Sequence, residues 1–345
     1  MSKIAVLGAG SWGTALSIVL ADNGHDVRLW THRQEQAQQI NETRRNEKYL
    51  DVEIPSQIDA YSNLKDALSN VSAVVIVVPT KAIREVCQQL NEVTQDDNVT
   101  IIHATKGIEP LSLKRVSQMI GEELEGYQEE DIVVLSGPSH AEEVALRQPT
   151  TVTVSSINLE NAKIAQDLFI NEAFRVYTSP DILGIELGGA LKNIIALGAG
   201  ISDGLGYGDN AKAALITRGL AEIARLGTSL GANPLSFLGL PGVGDLIVTC
   251  TSVHSRNWRA GNLLGKGHKL DDVLTEMGMV VEGVRTVKAA YQFAKEQQVE
   301  MPITTGIYQV LFEDKDPKDI VEQLMNRTKR EEMDDLAKLL MERYS

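Results

Sequence analysis

A lysine in an apolar stretch is the first residue whose position suggests chemistry. Lys192 follows Leu-Gly-Gly-Ala-Leu and precedes Asn-Ile-Ile-Ala, so on a helix its neighbours one turn away are glycine, isoleucine and alanine. Burial of an unpaired ammonium group is costly, and a lysine in such a place usually meets an anion or transfers a proton. We therefore interpret Lys192 as a general acid or base. The alternative is a lysine on a half-buried helix whose ammonium group reaches solvent.

A glycine pattern near the start of the chain predicts a dinucleotide site. Residues 3–7 are an apolar run, Gly8-x-Gly10-x-x-Gly13 follows, and residues 14–23 have a helical pattern. In such a turn the glycines allow a tight bend, close approach of a pyrophosphate and close packing of helix on strand. The helix N-terminus then presents free backbone N–H groups to the phosphates.

The residues after the second predicted strand, 26–30, indicate which nicotinamide cofactor is preferred. NAD-preferring sites place an acidic residue there to bind the ribose 2′-hydroxyl. This chain has His32 and Arg33 instead, which are cationic donors suited to a 2′-phosphate. The sequence therefore predicts a preference for NADPH, with NADH as a second cofactor. The alternative is that Arg33 is a solvated residue at the start of a helix predicted over 34–46.

Two further clusters follow predicted strands, at the sheet edge where α/β enzymes place their chemistry. Lys106 comes directly after the strand predicted at 100–104, where it is either a site residue or a surface lysine. Gly137 and Ser139 follow the strand predicted at 132–136, and the glycine would allow a ligand close to the backbone. Ser139 with Glu142 also predicts a capping box, which would explain the serine without any ligand.

A third cluster lies in the second half of the chain. Ser255, Arg256 and Asn257 offer hydroxyl, guanidinium and amide donors at the start of a predicted helix, 256–264, and these suit a phosphate. An N-capped helix with a surface arginine is the alternative.

Composition limits the classes of function. The 345 residues carry a net charge of -14, which argues against nucleic acid or an anionic membrane as a general partner. The two cysteines, Cys87 and Cys250, have no paired spacing, so we expect buried thiols in a reducing cytoplasm and no metal site. The first strand begins close to Met1, which leaves no room for a signal peptide. We expect no membrane span, because Glu186, Lys192 and Asp203 interrupt the most apolar stretch.

The order of elements predicts an α/β fold followed by helices. Up to about residue 179 strands alternate with helices, which is typical of a Rossmann-type, mostly parallel sheet with helices on both faces. Beyond Pro180 the apolar period is helical throughout. We therefore predict a dinucleotide-binding domain over 1–179 and an all-helical substrate-binding domain over 180–345. The latter ends in a charged helix pair from Pro317, with residues 329–332 on a solvated face.

Several motifs together resemble the NAD(P)-dependent sn-glycerol-3-phosphate dehydrogenases in their bacterial form. The resemblance runs from Lys3 to at least Gln309. The motifs around Lys192 and Ser255 are much more specific to this family than the glycine turn, which many reductases share. The matching segments, in order, are Gly8-Ala-Gly-Ser-Trp-Gly-Thr-Ala, Ala104-Thr-Lys-Gly, Ser136-Gly-Pro-Ser, Leu187-Gly-Gly-Ala-Leu-Lys-Asn, Gly242-Val-Gly-Asp-Leu and Ser255-Arg-Asn.

The resemblance implies an enzyme that interconverts dihydroxyacetone phosphate and sn-glycerol 3-phosphate for phospholipid synthesis. It implies Lys192 as the proton donor or acceptor, Lys106 as a second cation and Asp245 as the residue that orients Lys192 or a substrate hydroxyl. Asp245 could also be a simple turn residue after Gly244. The implied substrate residues are Lys106, Gly137, Ser139, Lys192, Asp245, Ser255, Arg256 and Asn257. The implied cofactor residues, besides the three glycines, are Ser11, Trp12, His32, Arg33, Lys106, Ala141, Arg256, Val280 and Glu282.

The residues leave open the cofactor preference and two alternative functions. His32 and Arg33 replace a pair that varies across the family, so the NADPH preference rests on charge alone. A related reductase acting on a β-hydroxy acid or ketopantoate would recognise a carboxylate instead of a phosphate. A module that senses NADP(H) without turnover would have no need for Lys192. The sequence does not set the oligomeric state, and a homodimer is compatible with it.

Overall fold

The computed structural model describes residues 2–93, 99–329 and 331. The chain divides into two compact units. The first unit comprises Met1–Thr105 and Val116–Ile182, and the second comprises Lys106–Arg115 and Leu183–Ser345. The second unit thus includes a short loop, 106–115, that lies between two elements of the first unit in the sequence. Arg330 and the part of the predicted terminal helix pair beyond residue 331 lie outside the described residues.

The first unit alternates strands and helices. Its ten strands are β1 (Lys3–Leu7), β2 (Asp26–Trp30), β3 (Arg45–Asn46), β4 (Leu50–Glu53), β5 (Ile58–Tyr61), β6 (Ala73–Ile76), β7 (Thr100–His103), β8 (Val133–Ser136), β9 (Thr150–Ser155) and β10 (Phe174–Ser179). Its helices are α1 (Ser11–Asp22), α2 (Gln34–Thr43), α3 (Leu64–Ala67), α4 (Ile83–Val93), α5 (Val116–Glu123), α6 (Ala141–Ala145) and α7 (Leu159–Phe169).

Eight strands form one sheet in the order β10-β9-β8-β7-β6-β1-β2-β5. All neighbours are parallel except β8 and β9, so the segment β5-β2-β1-β6-β7-β8 has the strand order of a dinucleotide-binding fold. The order reverses between β1 and β6, and the glycine turn follows β1. In that fold, the crevice beside the reversal is where a dinucleotide binds.

The central strands are apolar throughout because helices cover both faces of the sheet. Along β1, Ile4 and Val6 belong to one core, whereas Ala5 and Leu7 belong to the core on the opposite face. Full burial of such side chains contributes roughly 1.5–3 kcal/mol each. This apolar run therefore fixes β1 in the middle of the sheet and sets the position of the turn that follows it.

The second unit is helical, apart from the loop 106–115. Its helices are α8 (Ile182–Gly204), α9 (Asp209–Ser229), α10 (Asp245–Thr251), α11 (Arg256–Gly265), α12 (Leu270–Met277), α13 (Glu282–Glu296), α14 (Pro302–Phe312) and α15 (Pro317–Met325). The glycines of α8 allow close helix packing. A Cβ on Gly200 would lie 2.0 Å from the Trp258 carbonyl oxygen of α11, and one on Gly188 would lie 2.9 Å from that of Pro241.

Helix α8 corrects the reason given for expecting no membrane span, namely that charged residues interrupt the apolar stretch. Among the described residues, it is the helix whose length and composition are sufficient to cross a membrane, in spite of its charged residues. Ninety-four per cent of its most apolar window is buried within the protein. The apolar sequence of α8 is thus accounted for by its place in the core of the second unit.

The predicted fold class is confirmed, with several differences in detail. Helix α2 ends at Thr43, because Arg44 adopts a left-handed conformation (φ 54°) and the chain turns into the β3–β4 hairpin. The sequence pattern did not reveal this hairpin, β5, α3 or α7. The sequence pattern also predicts a helix over 112–124, but this helix begins only at Val116, since the preceding residues belong to the loop of the second unit.

Candidate active site

The glycine turn after β1 leaves open space at one of its three glycines. Gly8 has φ 120°, and a Cβ there would lie 2.7 Å from the Val77 carbonyl oxygen. A Cβ on Gly13 would lie 1.9 Å from the carbonyl oxygen of Gly8. Both glycines are thus required by packing within the fold. A Cβ on Gly10 would meet no described atom within 4 Å, so packing does not explain why this residue is glycine.

The residues beside this open space fit an anionic ligand. Helix α1 starts at Ser11 after Gly10, and no described side chain caps its first N–H groups. The indole Nε1 of Trp12, one residue further on, is buried without a hydrogen-bond partner among the described residues. Free N–H donors at a helix N-terminus are a favourable environment for a phosphate group. The first unit therefore has the geometry to hold the pyrophosphate of a dinucleotide.

A buried polar network fixes the backbone of this turn. The amide of Asn46, which is fully buried in β3, donates to the Ala9 carbonyl oxygen at 3.0 Å and to Thr14 Oγ1 at 2.8 Å. Gln36 Nε2 of α2 donates to the same carbonyl at 2.7 Å, and Thr31 Oγ1 donates to Gln36 Oε1 at 2.8 Å. These bonds tie the glycine turn to the end of β2, where the cofactor ribose would lie.

His32 and Arg33 are both exposed at that end of β2. Arg33 Nε lies 3.3 Å from His32 Nε2, and Arg33 Nη1 lies 3.4 Å from the Tyr49 hydroxyl oxygen. Ser11 Oγ donates to the Tyr49 carbonyl oxygen at 2.7 Å. Sequence analysis missed Tyr49, because only the β3–β4 hairpin brings it back to the turn. The structure thus places a hydroxyl, an imidazole and a guanidinium side by side.

The second unit gathers charged side chains around one buried carboxylate. Asp245, at the start of α10, has 1% of its surface exposed and accepts hydrogen bonds from two lysines. Lys192 Nζ of α8 contacts Oδ1, and Lys106 Nζ of the loop contacts Oδ2 at 2.7 Å. Lys192 Nζ also donates to Thr249 Oγ1 at 2.7 Å. Lys192 is therefore buried and paired, which rules out an ammonium group that reaches solvent from a half-buried helix.

The charges in this cluster shift one another's protonation. The pKa of Lys192 is lowered to about 7, mainly because the side chain is buried; the nearby charge of Lys106 also lowers it, and the carboxylate of Asp245 opposes both effects. Burial alone would raise the pKa of Asp245, but the two lysines outweigh burial and hold that pKa below its ordinary value. A lysine with a pKa near 7 can both give and take a proton close to neutral pH. Asp245 is consequently more than a turn residue.

The start of α11 has a structural role that the sequence left as an alternative. Ser255 Oγ accepts the Trp258 N–H at 3.2 Å and so caps the helix. Asn257 is buried, where its Nδ2 donates to Asn193 Oδ1 at 2.9 Å and its Oδ1 accepts the Gly283 N–H at 2.9 Å. These bonds join α11 to α8, close to Lys192, and to α13. Arg256, between the two, is exposed.

The turn after β8 corrects the predicted capping box. Helix α6 begins at Ala141 with His140 as its N-cap, and no side chain caps it. Ser139 Oγ instead donates to the Gly137 carbonyl oxygen at 2.9 Å, because the chain bends one residue later than a Ser139 cap requires. Gly137 has φ 151°, and a Cβ there would lie 2.9 Å from Val152 Cα of β9. Packing against β9 thus accounts for this glycine without a ligand.

The predicted cofactor residues fall in both units. Eight of the predicted residues lie in the first unit, namely Gly8, Gly10, Ser11, Trp12, Gly13, His32, Arg33 and Ala141. Four lie in the second unit, namely Lys106, Arg256, Val280 and Glu282; Glu282 is the first residue of α13, and Val280 lies two residues before it. The described residues contain no cluster of three or more His, Cys, Asp or Glu that could hold a metal ion.

The fold and the two sites define a nucleotide-dependent oxidoreductase, and comparison with known proteins gives the family. The family model for the N-terminus of NAD-dependent glycerol-3-phosphate dehydrogenase matches residues 3–162, and the model for the C-terminus matches 181–322. The chain therefore belongs to the NAD-dependent glycerol-3-phosphate dehydrogenase family, as the sequence resemblance indicated.

Individual relatives agree with this assignment. The chain is 79% identical, over 100% of both chains, to a protein of Oceanobacillus iheyensis named as an NAD(P)+ glycerol-3-phosphate dehydrogenase. A protein of the same name from Geobacillus thermodenitrificans is 66% identical over 99% of this chain and 100% of its own. The crystal structure of glycerol-3-phosphate dehydrogenase from Coxiella burnetii has a TM-score of 0.89 at 38% identity, covering 94% of this chain and 99% of that one.

Proposed function

We propose that this enzyme interconverts dihydroxyacetone phosphate and sn-glycerol 3-phosphate with a nicotinamide cofactor, NADPH in preference to NADH. The observation that carries the proposal is the buried Lys192–Asp245 pair, with Lys106 on the second carboxylate oxygen. Such a cluster offers an ammonium group of tuned pKa where a ketone oxygen becomes an alkoxide. The family, and the names of its closely similar members, agree with this chemistry.

Lys192 is the proposed proton donor in the reducing direction. A bound nicotinamide supplies the hydride that the ketone carbon takes up. Lys192 Nζ donates a proton to the ketone oxygen as negative charge develops there, and Lys192 is left as the neutral amine. Asp245 and Thr249 orient Nζ through the contacts described above. The amine then recovers a proton from solvent, and the reverse reaction uses the same amine as the base.

Lys106 and the residues around α11 bind the rest of the substrate in this proposal. The ammonium group of Lys106 adds a second positive charge beside the developing alkoxide. Arg256 is an exposed guanidinium at the N-terminal end of α11, suited to the substrate phosphate, with Ser255 and Asn257 beside it. A phosphate held there would fix the reacting carbon and lower the entropic part of the barrier. We also assign Gly137 and Ser139 to the substrate.

The first unit binds the dinucleotide in this proposal, and the second unit binds the substrate. Gly10, Ser11 and Trp12 would hold the pyrophosphate, and Arg33 with His32 would contact the 2′-phosphate of NADPH. The remaining assigned cofactor contacts are Gly8, Gly13, Lys106, Ala141, Arg256, Val280 and Glu282. We add Tyr49, whose hydroxyl adjoins Arg33.

The setting of the reaction is part of the same proposal. sn-Glycerol 3-phosphate is the backbone precursor of phospholipids, so we assign the enzyme to lipid synthesis in the cytoplasm. Both cysteines are buried free thiols, which agrees with a reducing compartment. We also propose a homodimer, for which light scattering of the purified protein gives the mass directly; a monomer mass would remove this part.

An absorbance assay tests the proposed function against its alternatives. The purified enzyme is mixed with NADPH or NADH and with dihydroxyacetone phosphate or ketopantoate, and the loss of reduced nicotinamide is followed. We expect rapid oxidation of NADPH only with the phosphorylated ketone. Faster turnover of ketopantoate would indicate a carboxylate reductase, and cofactor binding without turnover of either ketone would indicate a sensor.

A further inference from the structure

The loop 106–115 is a closed turn that contributes two side chains to the core of the second unit. Ile108 pairs with Arg115 in an antiparallel bridge, and the Glu109 N–H donates to the Lys114 carbonyl oxygen at 2.9 Å. The side chains of Ile108 and Leu113 are buried in the same core as α8. Leu113 keeps a left-handed backbone (φ 60°) there, a conformation that persists for leucine only where the surroundings enforce it.

The two ends of this loop make ionic contacts in different places. At its first residue, Lys106 Nζ contacts Asp245, although the Lys106 side chain is 20% exposed and so is not fixed by burial. At its last residue, Arg115 Nη1 donates to Glu186 Oε2, and this side-chain pair is almost entirely buried. Glu186 belongs to α8, the helix that carries Lys192.

A buried ion pair of this kind contributes little net stability, because the desolvation of both charges offsets their attraction. It does fix geometry, since a guanidinium and a carboxylate bond in few orientations. The pair joins the end of the loop to α8. It therefore fixes the backbone from which the partly exposed Lys106 side chain extends.

We propose that Arg115 and Glu186 are positioning residues, which hold the loop so that Lys106 stays on Asp245 beside Lys192. The proposal rests on the proposed function, because Lys106 matters there as the second cation of the proton-transferring cluster. Neither Arg115 nor Glu186 contacts substrate in this account. Their contribution to catalysis passes through the location of Lys106.

The pH dependence of the reaction distinguishes this role from a merely structural one. The charge of Lys106 lowers the pKa of Lys192, whereas Asp245 raises it. If Lys106 moves away, the pKa of Lys192 rises, and the loss of dihydroxyacetone phosphate reduction at alkaline pH moves to higher pH. A general loss of stability would not move that pH.

The test uses the neutral double variant Arg115→Met/Glu186→Gln, which removes one charge of each sign so that neither member of this pair is left charged without the other. Its kcat/KM for dihydroxyacetone phosphate is measured against pH, beside wild type, Lys106→Met and the triple variant. We expect kcat of the double variant to be about 10- to 100-fold lower than that of wild type, because the Lys106 ammonium group is displaced. The alkaline limb of its kcat/KM profile, where activity falls as pH rises, should move to higher pH. The triple variant should match Lys106→Met, since the pair acts only through that lysine.

Glu222→Gln is the matched control. Glu222 is a buried carboxylate of the same unit that accepts the Ile303 and Thr304 N–H groups of α14 and has no described contact with the loop. Its loss should alter the melting temperature and leave the alkaline limb of kcat/KM in place. A limb that moves equally in Glu222→Gln would overturn the proposal.

Two results with the main variants would also overturn it. One is a neutral double variant whose kcat and pH profile equal those of wild type. The other is a triple variant whose alkaline limb moves further than that of Lys106→Met alone. If the double variant does not fold, Glu186→Asp takes its place, because it retains the charge on a shorter side chain. This variant should lower kcat and move the alkaline limb of kcat/KM to higher pH. A wild-type pH profile in Glu186→Asp would contradict the proposal. Wild type without activity on dihydroxyacetone phosphate would instead refute the proposed function.

Discussion

The glycine turn of the first unit and the lysine–aspartate cluster of the second unit are built in different ways. The turn is formed by contiguous residues, and its conformation follows from two glycines that pack against backbone, Gly8 and Gly13. The cluster is formed by Lys106, Lys192 and Asp245, which are far apart in the sequence. The turn is a backbone structure with open space beside it. The cluster is a set of charges whose protonation depends on burial and on one another.

This difference determines how each site should respond to change. A site made by backbone geometry tolerates side-chain changes except where a Cβ would clash or would occupy the ligand's space. A site made by buried charges loses function when a single charge is removed. The predictions below test this distinction, from the largest expected effect to the smallest.

Removal of the central charge should have the largest effect. Lys192→Met retains similar volume without a charge to desolvate, so the fold and NADPH affinity should persist. We expect kcat to fall by about 10²–10⁴-fold through the loss of general acid catalysis. Steady-state kinetics, NADPH titration and thermal melting on the one variant separate the effects. A kcat within about threefold of wild type would remove Lys192 from the mechanism.

Removal of the cation that we propose binds the substrate phosphate should have the next largest effect. Arg256→Ala loses charge-assisted hydrogen bonds worth about 1.5–3 kcal/mol, or roughly 10- to 150-fold in KM for dihydroxyacetone phosphate. Unphosphorylated dihydroxyacetone lacks the phosphate that Arg256 would bind, so any residual activity on it should change little. The comparison of KM for the two ketones is the measurement. Equal losses on both would point to a structural role for Arg256.

A single methyl group in the glycine turn should distinguish ligand space from packing. Gly10→Ala meets no described atom, so it should fold normally and bind NADPH roughly 10-fold or more weakly, because the methyl group occupies the pyrophosphate's space. Gly13→Ala clashes with the Gly8 carbonyl oxygen and should lower the melting temperature instead. NADPH titration and thermal melting of both variants make the comparison. Unchanged affinity in Gly10→Ala would argue against a pyrophosphate beside this residue.

Replacement of Arg33, the exposed guanidinium at the end of β2, should have the smallest effect on rate and a clear effect on cofactor choice. Arg33→Asp loses a contact to the 2′-phosphate, about 1.5–3 kcal/mol, and gains a partner for a free 2′-hydroxyl. The KM for NADPH should rise and that for NADH should fall. An unchanged ratio of the two KM values would show that Arg33 is only a solvated residue at the start of α2.

The sequence predicts the first site better than the second, for physical reasons. Strand period, glycine spacing and helix N-terminus are local properties, so the turn at Gly8–Gly13 could be located from residues 3–30 alone. Tyr49 could not, because it reaches Arg33 only through the β3–β4 hairpin, whose short strands carry no clear alternation.

In the second unit, the residue pattern indicated that Lys192 is unusual, and only the family resemblance implied Asp245 and Lys106 beside it. Thr249 becomes visible as a partner of Lys192, and Asn257 as a partner of Asn193, only once α10 and α11 pack on α8, since no spacing rule links residues so far apart. No spacing rule places Lys106 beside Asp245 either, because the Lys106 loop belongs to the second unit although strands of the first unit surround it in the sequence. The local sequence pattern likewise predicted Ser139 as a helix N-cap, but α6 begins one residue later, with His140 at the N-cap position.

The most direct test of the central claim is the pH dependence of the reaction in both directions. Reduction needs Lys192 as ammonium, whose pKa is about 7, so kcat/KM for dihydroxyacetone phosphate should fall as pH rises through that region. Oxidation of sn-glycerol 3-phosphate needs the neutral amine, so its kcat/KM should rise over the same range. Titration of a substrate phosphate, with a pKa of about 6, affects both directions alike. Opposite slopes around pH 7 are the result this account predicts, and parallel or flat profiles in the two directions would contradict it.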